Sequence, residues 1–492
     1  MNIKEYIYKT LAETKKAISR CINNKRYDDA LSLISLCASL LYQTNIYYVD
    51  NDLENALRII SQKLIINSFS NKDYNANEDS LVFYDGFGLN DRGLIQIYLK
   101  ALCKIKKVIY VTYDDRKNSI PDVQDILNNY NCERRYINRE NSSYIDQVNQ
   151  LNEYIKEIKP KRMFFYSIPN DVIATTVMSS YEDLILRYQI NLTDHAFWLG
   201  ASLIDRCIEF RNYGANISKK YRNIEEDKIV IVPFYPILHK EKKFQGFPFE
   251  KRIDQKVMFS GGALYKTIGD DNKYYIMVDY LLNKYNNLIF WYAGSGDDTE
   301  IKKIISKYPK RAFLTAERSD LFQIMEHSDV YLSTYPMCGG LMFQYAAMAG
   351  CVPVTLKNGS ISDGFLINQE NIDVEFNDTE HLYSEIDKLL MDDEYSKNRS
   401  VLMKKSVVES QVFDEEVRKA IEDEKSSLFP VKFDNIDTNS FREWYIENLS
   451  KADVDAMFVH RKTVKVGIAY YPFRLFRGCV NSAIKKLMKH FR

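Results

Sequence analysis

The sequence predicts an α/β protein: two parallel-sheet domains of Rossmann type facing a cleft, a helical N-terminal extension and a basic amphipathic C-terminal tail. Three observations predict it. Strand-like apolar runs alternate with helix-spaced runs from residue 77; a charged, aperiodic stretch then breaks the series; and a second series of the same kind follows it. The expected division is 1–76 helical, 77–238 first domain, 239–255 linker, 256–412 second domain, and 413–492 C-terminal helices and tail.

Residues 1–76 read as helices because apolar side chains recur at three and four spacings in "LSLISLCASLLY" and "LENALRIISQKLII". The run Ala30 to Tyr42 is too short to span a bilayer, and the start, "MNIKEYIYKTLAETKK", lacks the apolar core of a signal peptide. The texture changes at "SLVFYDGFG", a strand ending in glycines, followed by the helical "DRGLIQIYLKALCKIK" and the β-rich "VIYVTYDD". "YIDQVNQLNEYIKEIK", "RMFFYSIP" and "RYQINLT" continue the alternation as helix, strand and strand with a helix between the last two. "HKEKKFQGFPFEKRIDQ" is charged, carries Pro and Gly, and has no periodicity, which marks a linker. The second series runs from "KVMFSGGA" through "NLIFWYAGSGDD", "RAFLT" and "DVYLSTYP" to "VPVTL", with helical stretches between.

The chain has 492 residues, 46% apolar, enough for two or three domains with real cores. Lys plus Arg and Asp plus Glu are equal at 67 each, so overall charge gives no reason to expect nucleic acid as a partner. Eight cysteines lie scattered without metal-ligand spacing and read as reduced thiols of a cytoplasmic protein. Paired carboxylates at Asp114/Asp115, Asp270/Asp271, Asp297/Asp298 and Asp392/Asp393 fit turns and helix starts, and no metal site is expected.

Two glycine turns carry the chemistry. In "FSGGALYKT" a strand delivers Gly261 and Gly262, and Lys266 follows on or near the start of the next helix. Glycines let backbone N–H groups approach an anion, a helix N-terminus favours negative charge, and a lysine neutralises a diphosphate. An ordinary βα turn with a solvated lysine has the same local pattern. In "STYPMCGGLMFQYAAMAGCVPVTL", Gly339 and Gly340 open a small-residue helix, a second candidate anion site, and the two together suggest a nucleotide diphosphate clasped from both sides. In the first domain Asp194 and His195 lie where an open α/β sheet exposes side chains to a ligand. An imidazole there can take a proton from a hydroxyl, or be a satisfied core histidine beside Phe197 and Trp198. Gly86, Gly88 and Asn90 of "YDGFGLNDRG" are cleft-loop candidates or a surface turn. Arg318 stands before a short helix, either facing a ligand or solvated beside Glu317 and Asp320.

These stretches resemble the GT-B glycosyltransferases, which use two facing Rossmann-like domains and bind a nucleotide sugar mainly to the second. "ALYKT" is similar to the segment in which a lysine holds the donor diphosphate in the group of protein O-linked N-acetylglucosamine transferase and bacterial adhesin glucosyltransferases, and Lys266 is the matching position. "CGGLMFQYAAMAGCVPV" resembles the family's loop, helix and strand against the donor phosphates and ribose, which implicates Tyr345, and "ISDGFLI" resembles the turn that follows in sugar-polymer glycosyltransferases. The chain departs from many retaining members in carrying Tyr345 and Met337 at positions of paired glutamates, which leaves the stereochemistry open. The resemblance implies transfer of a sugar from a nucleotide-diphosphate sugar, with UDP first among the bases, to a glycan or lipid-linked acceptor in bacterial surface polysaccharide or glycoconjugate synthesis. Donor contacts would come from Gly261, Gly262, Lys266, Arg318, Gly339, Gly340 and Tyr345, and the base from His195 with Asp194. An inactive partner subunit and a sugar-nucleotide epimerase of the same architecture remain as alternatives.

Residues 456–492 contain no Asp or Glu and carry nine basic residues: Arg461, Lys462, Lys465, Arg474, Arg477, Lys485, Lys486, Lys489 and Arg492. Interleaved Phe458, Tyr470, Tyr471, Phe473, Leu475, Phe476, Ile484 and Leu487 suit an anionic membrane surface, so a peripheral location at the inner face of the cell membrane is expected. The competing arrangements are nucleic-acid binding, which no aromatic-basic fold signature supports, and packing of this basic helix on the protein's own acidic face.

Overall fold

In the computed structural model, the described residues are 2–65, 74–89, 93–140, 142–422, 428–459 and 464–490, with side chains of 485–490 not described. The first sheet has seven parallel strands: β1 (Asn77–Asp85), β2 (Lys107–Tyr113), β3 (Glu133–Ile137), β4 (Pro160–Tyr166), β5 (Leu186–Asn191), β6 (Arg206–Glu209) and β7 (Ile229–Ile231), in the order β3-β2-β1-β4-β5-β6-β7. The second has six: β8 (Lys256–Gly261), β9 (Leu288–Ala293), β10 (Ala312–Thr315), β11 (Val330–Leu332), β12 (Val352–Leu356) and β13 (Glu375–Phe376), in the order β10-β9-β8-β11-β12-β13. Both are doubly wound, so the C-terminal strand ends of each sheet open where the strand order turns.

The period of two along β1 sorts its side chains between two cores. Leu81 and Phe83 share one with the helix Leu94–Cys103 and the late helix Ser410–Ile421. Val82 and Tyr84 share the other with Tyr144–Ile158, Val172–Met178 and the N-terminal helices Ile3–Asn23, Tyr27–Thr44 and Asn51–Leu64. The N-terminal helices therefore bury their apolar faces on the first sheet instead of closing a core of their own. Their apolar stretches start behind side-chain caps, from Asn2 on Glu5 N and from Asp50 on Leu53 N.

After the second sheet the chain crosses back. Ser410–Ile421 lies on the first domain, with Asp414 paired to Lys104 at 2.5 Å and the Ile421 carbonyl accepting from Arg162 Nε at 3.4 Å. Residues 428–437 then bridge the domains: Lys432 N donates to Asn212 Oδ1 at 2.7 Å and Ser360 N to the Asp437 carbonyl at 3.1 Å. A helix, Asn439–Glu447, enters the seam, and Lys451–Ala456, Val464–Tyr470 and Pro472–His490 end on the N-terminal helices.

The tail helix is not a free basic arm. Arg474 is buried and reaches Glu13 and Thr10 Oγ1, both at 2.8 Å, and Arg477 pairs with Asp455 at 3.0 Å, so two of the nine cations meet the protein's own acids. Phe458, Tyr471 and Leu475 turn inward, whereas Phe473 is 83% and Phe476 69% exposed, with Val480 and Ile484 on the exposed side at helical spacing. Lys465 is exposed. Arg461, Lys462 and Arg492 lie outside the described residues, as do the side chains of Lys485, Lys486, Leu487 and Lys489. Among the described residues no helix is long and apolar enough to cross a membrane.

Candidate functional site

Gly261 closes β8, and the chain turns through Gly262 at φ +121°, a conformation glycine adopts freely. A Cβ built on Gly262 meets nothing within 4 Å, so its backbone borders open space. Lys266 sits on a single 3-10 turn, Leu264–Thr267, and not at the start of a helix as expected. Asp270, Asp271 and Asn272 all have left-handed φ, which delays the helix to Lys273–Lys284. An anion held at this turn would thus meet the lysine and the loop backbone, not a helix N-terminus. The helix dipole comes from the facing turn: Gly339 caps the ten-residue helix Gly340–Ala349, and a Cβ at Gly339 would lie 3.8 Å from Lys266 Nζ. Met337 N, donating to the Lys266 carbonyl at 3.3 Å, ties the two turns together.

Two of the expected donor residues are engaged elsewhere. Tyr345 is buried and donates its hydroxyl to the Ile237 carbonyl at 2.7 Å, holding the donor helix to the segment that leaves the first domain. Arg318 pairs with Asp320, donates to the Gly246 carbonyl at 2.7 Å and lies 5.0 Å from the Trp291 ring centre, so it fixes the linker to the second sheet.

On the first-domain side, Asp194 is fully buried and meets Arg211 Nε at 2.6 Å and Nη2 at 3.1 Å. Burial alone would raise its pKa, but the Arg211 charge overrides it and the carboxyl is held at about 2. Asp194 is therefore a fixed counter-charge, unable to act as the base itself. His195 places Nδ1 3.4 Å from Asp194 Oδ1 and keeps 17% of its side chain exposed. Gly86 and Gly88 lie in a loop organised by buried Asp85, whose Oδ1 accepts from Phe87 N at 3.0 Å and Gly88 N at 2.8 Å. The Arg116 side chain covers Gly88 and donates to the Gly86 carbonyl, and Asp171 and Ser167 pack over Gly86. Asn90 lies outside the described residues.

The helix Asn439–Glu447 wedges between these two sides. Phe441 packs edge-on to the His195 ring at 5.7 Å, while Trp444 Nε1 donates to the Ile268 carbonyl at 2.8 Å. Gly269 is a required glycine, because a Cβ there would approach the Trp444 ring to 2.8 Å. Tyr48, Tyr213, Ile217, Met337 and Ile361 complete this plug, drawn from the loop after the helix Tyr27–Thr44, both domains and the C-terminal segment.

Two doubly wound sheets, facing across a seam and rejoined by a C-terminal helix that returns to the first, decide the architecture. The chain has the GT-B fold. Solved structures agree. A mutant O-GlcNAc transferase of Thermobaculum terrenum superposes with a TM-score of 0.52 at 12% identity, covering 85% of this chain and 83% of that one. A glycosyltransferase of Rickettsia africae gives 0.50 at 12% identity, covering 76% and 100%. A UDP-GlcNAc 2-epimerase of Neisseria meningitidis, bound to UDP-GlcNAc, gives 0.47 at 12%, covering 70% and 99%. No family model matches the sequence and no curated protein does.

Within this GT-B frame, Lys266 and Gly339 come together across the two glycine turns, whereas the Tyr345 hydroxyl is held by the Ile237 carbonyl and the Arg318 guanidinium by Asp320 and the Gly246 carbonyl. The reading of the sequence missed Arg211, Asp85 and the plug residues Phe441 and Trp444. "EFRNYG" directly after a strand was the available signal for Arg211; nothing local announces that "SFREWYIEN" lies beside His195. Among the described residues no group of three or more His, Cys, Asp or Glu is placed to hold a metal ion.

Proposed function

We propose that the chain is a glycosyltransferase that takes its sugar from a nucleotide-diphosphate donor, UDP being the first base to test. The observation that carries this is the approach of Lys266 to Gly339 at the donor-helix N-terminus, beside the open space over Gly262. A departing diphosphate there would meet an ammonium group and unpaired helix N–H groups, fixed donors that need no reorganisation as charge develops. An acceptor hydroxyl would attack the anomeric carbon, the bond to the diphosphate would break, and the proton would pass to His195, oriented by Asp194. The two neighbours with TM-scores of 0.50 and above are sugar transferases by name and support this reading, and the fold is compatible with a sugar-nucleotide epimerase as well.

The acceptor is a glycan or a lipid-linked glycan, taken at an anionic membrane surface to which the outward face of the tail helix binds. Phe473, Phe476, Val480 and Ile484 support that placement, with basic residues and no acid along the tail sequence. A second reading, a partner subunit that binds donor without transferring it, is favoured by the plug: Phe441 stands against His195. Donor binding without transfer to any acceptor would select it, and product formed without an acceptor would select an epimerase.

Thermal shift across a panel of nucleoside diphosphates, parent against Lys266→Ala, tests the donor site. A ligand at 100 times its Kd stabilises by about 2.7 kcal/mol. The expected result is a shift with one nucleotide that Lys266→Ala removes; no shift with any nucleotide overturns the assignment.

A further inference from the structure

Two of the protein's free thiols lie against each other. Cys103 is the last residue of the helix Leu94–Cys103, and Cys132 follows the helix Pro121–Asn129 by way of Asn131, whose φ of +50° turns the chain back. Their Sγ atoms are 3.4 Å apart, although the residues stand 29 positions apart in the sequence. Backbone hydrogen bonds fix both positions: Cys132 N donates to the Leu127 carbonyl at 2.8 Å, and Lys104 N, next to Cys103, donates to the Ala101 carbonyl at 3.2 Å. A cavity of about 360 Å³ opens onto the pair, bordered by both cysteines together with Lys104, Lys106, Lys107 and Asp79. Both thiols are partly exposed, whereas Cys21, Cys37, Cys207, Cys338 and Cys351 are buried and Cys479 stands exposed on the tail helix.

We propose that Cys103 and Cys132 form a dithiol modification site, oxidised to an internal disulfide by exchange with an anionic low-molecular-weight disulfide, with Cys132 as the attacking sulfur. The site does not depend on the glycosyltransferase reading. The Cys103 thiol, donating to Cys132, holds the Cys132 thiol below its usual range, and the Arg134 charge acts in the same direction against burial, while the same contact raises Cys103. The thiolate is the nucleophile, so Cys132 reacts first. It attacks one sulfur of the entering disulfide, that S–S bond breaks, and one thiolate leaves. Cys103 then loses its proton to solvent and attacks the Cys132 sulfur, expelling the second thiolate. The small disulfide is thereby reduced to two thiols as the protein dithiol is oxidised to one bridge. The second step is intramolecular between sulfurs already in contact, which need only close to about 2.05 Å. The surrounding charge suits an anionic reagent: Lys104, Lys106, Lys107 and Arg134 stand against Asp79 and Asp414, and Asp414 is paired with Lys104 at 2.5 Å. The bridge would pin the corner on which the returning helix Ser410–Ile421 docks, where Tyr98 packs on Phe413 with ring centres 5.0 Å apart.

The test uses the full chain carrying Cys479→Ser, which removes the exposed thiol of the tail. The folded protein is incubated with glutathione disulfide and quenched in acid, the remaining thiols are alkylated, and the peptides are read by mass spectrometry. The expected result is recovery of the Cys103 and Cys132 peptides joined to each other, with two thiols lost per chain and both restored by dithiothreitol. Cys103→Ser should stop at a mixed disulfide of glutathione on Cys132, and Cys132→Ser should leave Cys103 reacting about tenfold more slowly than Cys132 does in Cys103→Ser. Full alkylation of both cysteines in the parent after treatment, a bridge that forms only in urea, or glutathione held on both cysteines of one chain without a bridge would each overturn the site. Equal rates in the two single variants would overturn Cys132 as the attacking sulfur. The parent chain carries the decisive readout, so the outcome does not hang on the folding of either single variant.

Discussion

Arg211 and Asp194 show why a charged pair can be kept in the middle of a protein. Both side chains are almost without solvent, two N–H groups meet the two carboxylate oxygens, and the remaining guanidinium nitrogen is satisfied by carbonyls of the other domain. Removing one partner leaves the other charged and buried, so Asp194→Asn should cost about 3–5 kcal/mol. A lower urea midpoint at unchanged slope would show it, and a loss under about 1 kcal/mol would contradict the pairing. The pH dependence has a defined sign. The folded pKa of about 2 lies below the unfolded value of about 3.9, so the stabilisation is complete above pH 4 and is lost as pH falls toward 2. Asp194→Asn should lack that acid-labile component. Asp194 and His195 stood out in the sequence as adjacent polar residues after a strand; the arginine that fixes their protonation did not, because its partner lies 17 residues back and only the closed fold brings them together.

The helix Asn439–Glu447 acts on the donor turn from outside both sheets. Trp444 holds the Ile268 carbonyl and fills the space over Gly269, immediately after the turn that carries Lys266. Trp444→Ala should therefore weaken UDP binding about tenfold, while Trp444→Phe, which keeps most of the ring and loses only the N–H donor, should weaken it severalfold. Equal UDP affinity in all three proteins would show that the helix only packs. Periodicity was enough to find the central strands β1, β2, β4, β8, β9 and β12, whose buried runs are apolar and bounded by turns. It was not enough for β3, where "ERRYI" is a charged edge strand, nor for β6 and β13, which are too short to show a period. Lys266 was expected at a helix start because the left-handed run Asp270 to Asn272 looks, in sequence, like any helix-opening acidic turn. The glycine turns were legible because their composition is itself the conformational requirement; the plug was not, since contact between residues 195 and 441 has no local signature.

At the scale of the whole molecule, charge is segregated. The tail from 456 holds nine basic residues and no acid, which leaves 58 basic against 67 acidic residues in the rest of the chain. On the proposed reading such a body would orient on an anionic surface with its tail helix down, each basic residue near the surface contributing about 1 kcal/mol. Vesicles containing phosphatidylglycerol should sediment the protein and neutral phosphatidylcholine vesicles should not. Phe473→Ser with Phe476→Ser should reduce that binding without lowering Tm, because both rings already face solvent; unchanged sedimentation would exclude the helix as the contact. The placement of Trp444 against the Lys266 turn also has a bearing on how the protein is born. The turn and the ring that steadies it are separated by 178 residues, so at a synthesis rate of about 5–20 residues per second the nascent second domain waits roughly 10–35 s for its clamp. Until then a ribosome-bound chain has both sheets but an unbraced Lys266 turn, so on the proposed reading competence to hold a nucleotide would arrive with the late helix Asn439–Glu447 instead of with the second domain.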